Sequence, residues 1–168
     1  LQSAKGRNRV VPVAQTNVAQ CASDSPTSCL IQALADDTFT SVCVDSGAGE
    51  SVCPLEAFPS YEKKNTHKTG TAYKAAGGQK LFNVGEVKPY FKSNGVAGCM
   101  AFQATTDVKK PLAAASRITE KGNRIILDDA AHDSYIENKA SGVRIPLKLE
   151  SGVYMMEMLV KPFQRPTK

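Results

Sequence analysis

Apolar and polar residues alternate most cleanly near the end of the chain, where Val143, Ile145, Leu147 and Leu149 interleave with Arg144, Pro146, Lys148 and Glu150. A period of two predicts a strand with one covered face. Ser141-Gly142 and Ser151-Gly152 bracket it as tight turns, and Ser134–Lys139 and Val153–Val160 supply neighbouring strands. The tail therefore reads as a β-meander, with Pro146 keeping its strand away from a central place because proline has no N–H to give the ladder. Elsewhere the apolar positions run together. Val42-Cys43-Val44 and the longer Cys99–Val108 read as strands buried within a core. Tyr73–Val87 is a pair of extended segments hinged on Gly77-Gly78, a hairpin whose first arm is small and whose tip stands off the core. The period changes once. Pro111 occupies the first position of a predicted helix running to Lys121, with Leu112, Ala115 and Ile118 on one face, Lys121 in the last turn and Gly122 as C-cap. Asn123–Leu127 returns as a strand, and Pro54–Pro59 reads as a short helical turn stopped by its second proline. The fold class is all-β, mainly strands with one short helix.

Residues 1–35 lie outside this patterning. They are rich in Ser, Gln, Asn, Thr and Ala and carry no aromatic residue, and Leu30–Leu34 offers one helical turn at most. They read as a flexible leader, with order beginning near Phe39. Lys161–Lys168, with two prolines, reads as a linker. A chain of 168 residues is long enough for one domain with a proper core and short for two. Its opening, Leu1-Gln2-Ser3, has neither a Met nor a signal-peptide pattern and reads as cut from something longer. No run approaches the roughly 18 apolar residues of a membrane span, so no membrane partner is expected.

The net charge of +5 comes from basic residues scattered along the chain, with an excess at the ends (Lys5, Arg7, Arg9; Lys161, Arg165, Lys168). That distribution reads as solubility rather than a nucleic-acid stripe. Five cysteines, Cys21, Cys29, Cys43, Cys53 and Cys99, make an odd count without a C-x-x-C pair. They exclude a zinc ribbon and a secreted disulfide scaffold, and no metal or cofactor is expected. Cys43 reads as a small core residue. A pairing of Cys53 with His67 or His132 for thiol catalysis has no local signature, and both histidines sit in polar surroundings that place them toward solvent.

The chemistry concentrates in Phe39–Val52, where a β-rich apolar run ends in Asp45-Ser46-Gly47-Ala48-Gly49-Glu50-Ser51. A carboxylate at the end of a buried strand is costly unless it is hydrogen-bonded or shares a proton. A dinucleotide fingerprint fails here because Val52 stands where the third glycine belongs, and a nucleophile elbow fails because Val44 precedes Ser46 by two. An Asx-type turn, in which Asp45 only caps backbone, is the plain alternative.

The apolar-apolar-Asp-Ser-Gly-Ala sequence resembles the active-site loop of aspartic proteases, and the trailing Gly49-Glu50-Ser51-Val52 is similar to its retroviral and retrotransposon form. Lys110–Gly122 followed by Ile125-Ile126-Leu127, and later Tyr135–Gly142 and Gly152-Val153-Tyr154, resemble the segments that follow the protease core in copia-type retrotransposon polyproteins. The resemblance covers residues 38–160 and implies a retropepsin-like half-barrel with a flap hairpin, extended by the C-terminal meander. It divides the chain into a leader (1–35), a protease domain (36–130), a meander similar to a pre-integrase segment (131–160) and a linker (161–168). Relatives carry an acid after the alanine where this chain has Gly49, and a floor glycine after the second apolar strand, which the matching Thr106–Lys110 lacks.

What the resemblance implies for function is peptide hydrolysis. Asp45 is the catalytic residue, Ser46, Gly47 and Ala48 complete its loop, and Ala76, Gly77 and Gly78 form a flap over a peptide held as an added strand. Two carboxylates sharing one proton are needed, one as base to water and the other as acid to the carbonyl. With one Asp-Ser-Gly per chain, the site requires a homodimer with Asp45 of each subunit on the two-fold axis. The implied substrate is the parent polyprotein, in an intracellular setting such as a virus-like particle. Other readings are a catalytically silent interaction module of the same fold and a basic accessory segment of a nucleic-acid-processing polyprotein.

Overall fold

The computed structural model describes residues 37–130 and 133–162, so the leader and most of the linker lie outside the described residues. Within them the chain is mainly β. Strand β1 (Thr38–Asp45) leads into a loop and then β2 (Val52–Pro54). The predicted hairpin forms as β3 (Ala72–Lys74) and β4 (Lys80–Val87), followed by a second hairpin, β5 (Tyr90–Ser93) and β6 (Val96–Cys99). Next come β7 (Phe102–Thr105), β8 (Leu112–Ala114), a five-residue helix α1 (Ala115–Thr119) and β9 (Asn123–Ile126). The C-terminal part supplies β10 (Tyr135–Asn138), β11 (Arg144–Pro146), β12 (Lys148–Glu150) and β13 (Val153–Val160). No helix among the described residues is long and apolar enough to cross a membrane.

Ten strands share one sheet in the order β3-β4-β7-β2-β8-β1-β13-β5-β6, with β12 on β13. Strand β8 lies between β1 and β2, parallel to the first (Val44 opposite Ala113) and antiparallel to the second (Val52 opposite Leu112). The last strand of the meander is the long partner of β1, from Thr38 opposite Val160 to Val44 opposite Tyr154. Residues 153–160 therefore belong to the same sheet as Asp45. A smaller sheet, β11-β10-β9, packs Ile136 and Ile145 toward Phe91, Ile118 and Met156, around a cavity of about 40 Å³. Its outer face carries Glu137 between Arg124 and Arg144, and these guanidiniums, Arg144 first, hold the Glu137 carboxyl below its ordinary range.

Several expected elements take another form. The helix predicted from Pro111 starts only at Ala115, because Leu112–Ala114 pair with β1 as strand and Cys43 N donates to Pro111 O at 3.1 Å. Small alanines, favourable in a helix, are also the residues that fit between two strands with no exposure. The helix also stops earlier than expected, at Thr119 with Glu120 as its C-cap, and Gly122, at φ 79°, turns the chain into β9. The Pro54–Pro59 helical turn is a pair of tight turns. Pro54 ends β2, and Phe58, at φ 57°, breaks helical continuity so that its ring can stack 5.3 Å from Phe102. The core strand expected over Cys99–Val108 contracts to Phe102–Thr105, all buried, because Asp107 turns the chain at φ 61°. The alternating strand Val143–Leu149 is split at Leu147: β11 pairs with β10 and β12 pairs with β13, so Ile145 and Leu147 are buried whereas Val143 and Leu149 are exposed. Pro146 sits on the edge strand β11, as expected.

Met156 and Met158, wholly buried on β13, tie the meander into the core. Replacing Met156 by alanine should lower stability by about 2–5 kcal/mol, read as a lower urea midpoint.

Candidate active site

Asp45 is the last residue of β1, opposite Ala114 of β8, and is half-buried. Its Oδ1 accepts the backbone N–H of Gly47 at 2.8 Å, which fixes the carboxyl over its own turn. A Cβ at Gly47 would stand 3.3 Å from that oxygen, tight enough to press on the carboxyl. Ser46 and Gly47 are exposed, and Ala48 is half-buried. Asp45, Ser46, Gly47 and Ala48 are thus gathered in one turn at the surface.

The turn is braced from the β8–α1 junction. Ser51 Oγ accepts from Ala114 N at 3.0 Å, and Ser51 O accepts from Gln103 N at 2.8 Å, which anchors the far end of the loop. Arg117 Nε donates to Gly49 O at 3.1 Å, while its Nη2 donates to Glu50 Oε1. Lys68 Nζ donates to the same Glu50 oxygen at 2.8 Å. Ser116 Oγ stands at 3.5 Å from Ala48 O. Glu50 is only 15% exposed, so its carboxylate depends on both cations to offset lost hydration. The segment beside Asp45 is therefore Leu112–Arg117, and the expected floor stretch Thr106–Lys110 is instead the turn beyond β7. Ala113 and Ala114, both fully buried, stand opposite Val44 and Asp45 of β1.

Ala76, Gly77 and Gly78 form the exposed tip of the β3–β4 hairpin. Gly78 takes φ 85°, and its N–H closes the turn on Ala75 O at 2.9 Å. Among the described residues no hydrogen bond joins this tip to the Asp45 turn. At the hairpin base, burial pushes the Tyr73 phenol up, against the opposing effect of its bond to Asn83.

The thiol alternative lacks its pair. Cys53 is fully buried and its thiol is pushed up to about 12 by burial, whereas His67 is exposed and His132 lies outside the described residues. Cys43 is half-buried rather than a core residue. No cluster of three or more His, Cys, Asp or Glu suited to a metal occurs among the described residues. A groove of about 860 Å³, lined by residues that include Asp128, Asp129, Glu150 and Glu157, does not include Asp45.

Arg117 and Lys68 escaped the sequence reading, and Glu50 and Ser51 entered it only as part of the motif, with no role as braces. Compared with protein-family models, curated proteins and solved structures, the chain matches none of them.

Removing the Arg117 head by Arg117→Leu leaves Gly49 O and Glu50 short of donors, at an expected cost of about 1–3 kcal/mol in urea unfolding. Stability should also fall as pH rises from the unfolded-thiol value of 9.0 toward about 12, because the unfolded chain releases the Cys53 proton that the folded one keeps. Cys53→Ala should flatten that alkaline slope.

Proposed function

We propose that this chain is an aspartic endopeptidase of retropepsin type, completed by a second copy and acting on the polyprotein of a copia-type retrotransposon. The observation that carries the reading is the Asp45 turn: a carboxylate at the end of a central strand, held by Gly47 N–H and braced by a strand threaded between β1 and β2. A turn that served only as a cap would not call for Ser51, Glu50, Lys68 and Arg117 to fix its position.

In this reading one Asp45 removes a proton from water while its counterpart, holding the shared proton, gives it to the carbonyl oxygen. Asp45 Oδ1 already accepts from Gly47, so its other oxygen is the one left for the partner carboxyl and water. Ser46 and Gly47 are both exposed beside it; in this reading Ser46 bonds across the two-fold axis and Gly47 presents backbone to the peptide. A single subunit holds half of such a cleft. The β3–β4 hairpin is the flap, closing over an extended peptide. The alanine floor bears on the silent-module alternative. Ala113 and Ala114 are as small as a strand between two others requires, so the missing glycine of Thr106–Lys110 is no defect of the floor.

Asp45→Asn should lower peptide cleavage by about 10²–10⁴-fold or more while preserving the circular dichroism spectrum. Activity per chain should fall on dilution in step with dissociation seen by sedimentation, and excess Asp45→Asn should suppress the parent through mixed dimers. Constant activity where only monomer sediments would remove the two-fold site. A peptide mimic with a hydroxyl at the scissile position should inhibit, and a chelator should not.

A further inference from the structure

Strand β4 changes register against β7 between Asn83 and Gly85. Beyond that point the hairpin holds to the body through few bonds, among them Thr106 N to Phe82 O and Phe82 N to Thr106 Oγ1, both 3.1 Å. At the shift itself sits Asn83, 2% exposed, with its side chain fully engaged. Its Oδ1 accepts Gly85 N at 2.8 Å, and its Nδ2 donates to Tyr73 Oη at 3.0 Å and to Gln103 Oε1 at 2.7 Å. Gln103, 1% exposed, passes the relay on: its Nε2 donates to Glu86 Oε2 at 2.9 Å. A Cβ at Gly85 would come within 3.2 Å of Lys64 O, so the bulge is pressed against its neighbour and cannot slide.

The same Gln103 reaches the other half of the site. Its backbone N–H donates to Ser51 O, at the closing end of the Asp45 loop, and it stands opposite Val52. Buried amides are costly unless each donor and acceptor is met, and a fully met relay admits one arrangement. Tyr73, on the hairpin arm, also lies in the field of Glu50 and Arg117, which clamp that loop.

We infer that Gln103 is a positioning residue that sets the β3–β4 hairpin relative to the Asp45 loop, through a buried relay with Asn83, Tyr73 and Glu86. The role in catalysis rests on the proteolytic reading above; the mechanical coupling does not. A Gln103 side chain that only filled core volume would be served by any isostere. A relay needs a donor toward Glu86 and an acceptor toward Asn83.

The test is hydrogen exchange on the full chain, comparing residues 72–82 with β13, for Gln103→Glu and Tyr73→Phe against the parent at each pH. At mildly alkaline pH, with both groups ionised, Gln103→Glu sets a carboxylate against Glu86 and should speed exchange in the hairpin about tenfold with β13 unchanged. As pH falls, the new carboxyl and Glu86 take up one shared proton, above the ordinary carboxylate range because burial and the facing carboxylate both disfavour the charge, and protection should return. Tyr73→Phe, at a half-buried position that tolerates the change, should loosen the hairpin several-fold with no such pH dependence. In peptide cleavage both variants should raise KM more than they lower kcat. Unchanged hairpin exchange in folded Gln103→Glu overturns the relay, and Tyr73→Phe decides in the same way if the first variant does not fold. Altered exchange in a chain that cleaves nothing would keep the relay and reject the protease. Normal exchange and KM in a cleaving chain would do the reverse.

Discussion

The insertion of β8 between β1 and β2 is the constraint on which the rest depends. Two strands joined by a short loop would ordinarily pair with each other, as hairpins do. Here they are held apart by a third strand from much later in the chain, and the loop from Ser46 to Ser51 must arch over its end. That arch keeps Asp45 at the surface rather than within the ladder. It also explains the composition of β8, since only side chains as small as Ala113 and Ala114 sit there without exposure.

Electrostatics then fixes what topology has placed. Asp45 has a backbone donor two residues away, and Glu50 has Lys68 and Arg117. Neither carboxylate is left in low dielectric without a partner, which is where burial would cost most. Arg117 bonds both the backbone at Gly49 and the side chain at Glu50, so one side chain restrains the loop at two successive residues. The hairpin is attached differently, through the Asn83 and Gln103 amides at a bulge, which bond each other and reach Tyr73 and Glu86.

The C-terminal strand is part of the main sheet. β13 lies along β1 from Thr38 to Val44 and brings Met156 and Met158 into the interior. At the ends of that pair Lys161 Nζ reaches Asp37 Oδ2 at 2.6 Å, so the two ends of the described body lie side by side. The strand that carries Asp45 is thus buttressed on one edge by β8 and on the other by the meander.

By itself the sequence determined what depends on neighbours a few residues apart. The Asp45–Gly47 turn, the glycine-tipped hairpin and the edge position of Pro146 each follow from a backbone preference or a missing N–H, and each is found. Tertiary structure decided whatever turned on partners far along the chain. Leu112–Ala114 read as helix because alanine and leucine favour it, and became strand because β1 and β2 offered unpaired edges on either side. Val143–Leu149 read as one strand because its period was unbroken, and became two because each half met a different neighbour. Arg117, Lys68 and Gln103 carry no local signature, since a polar side chain looks alike in sequence whether it faces water or a carbonyl some 60 residues away in the chain, as Arg117 does at Gly49 with a separation of 68.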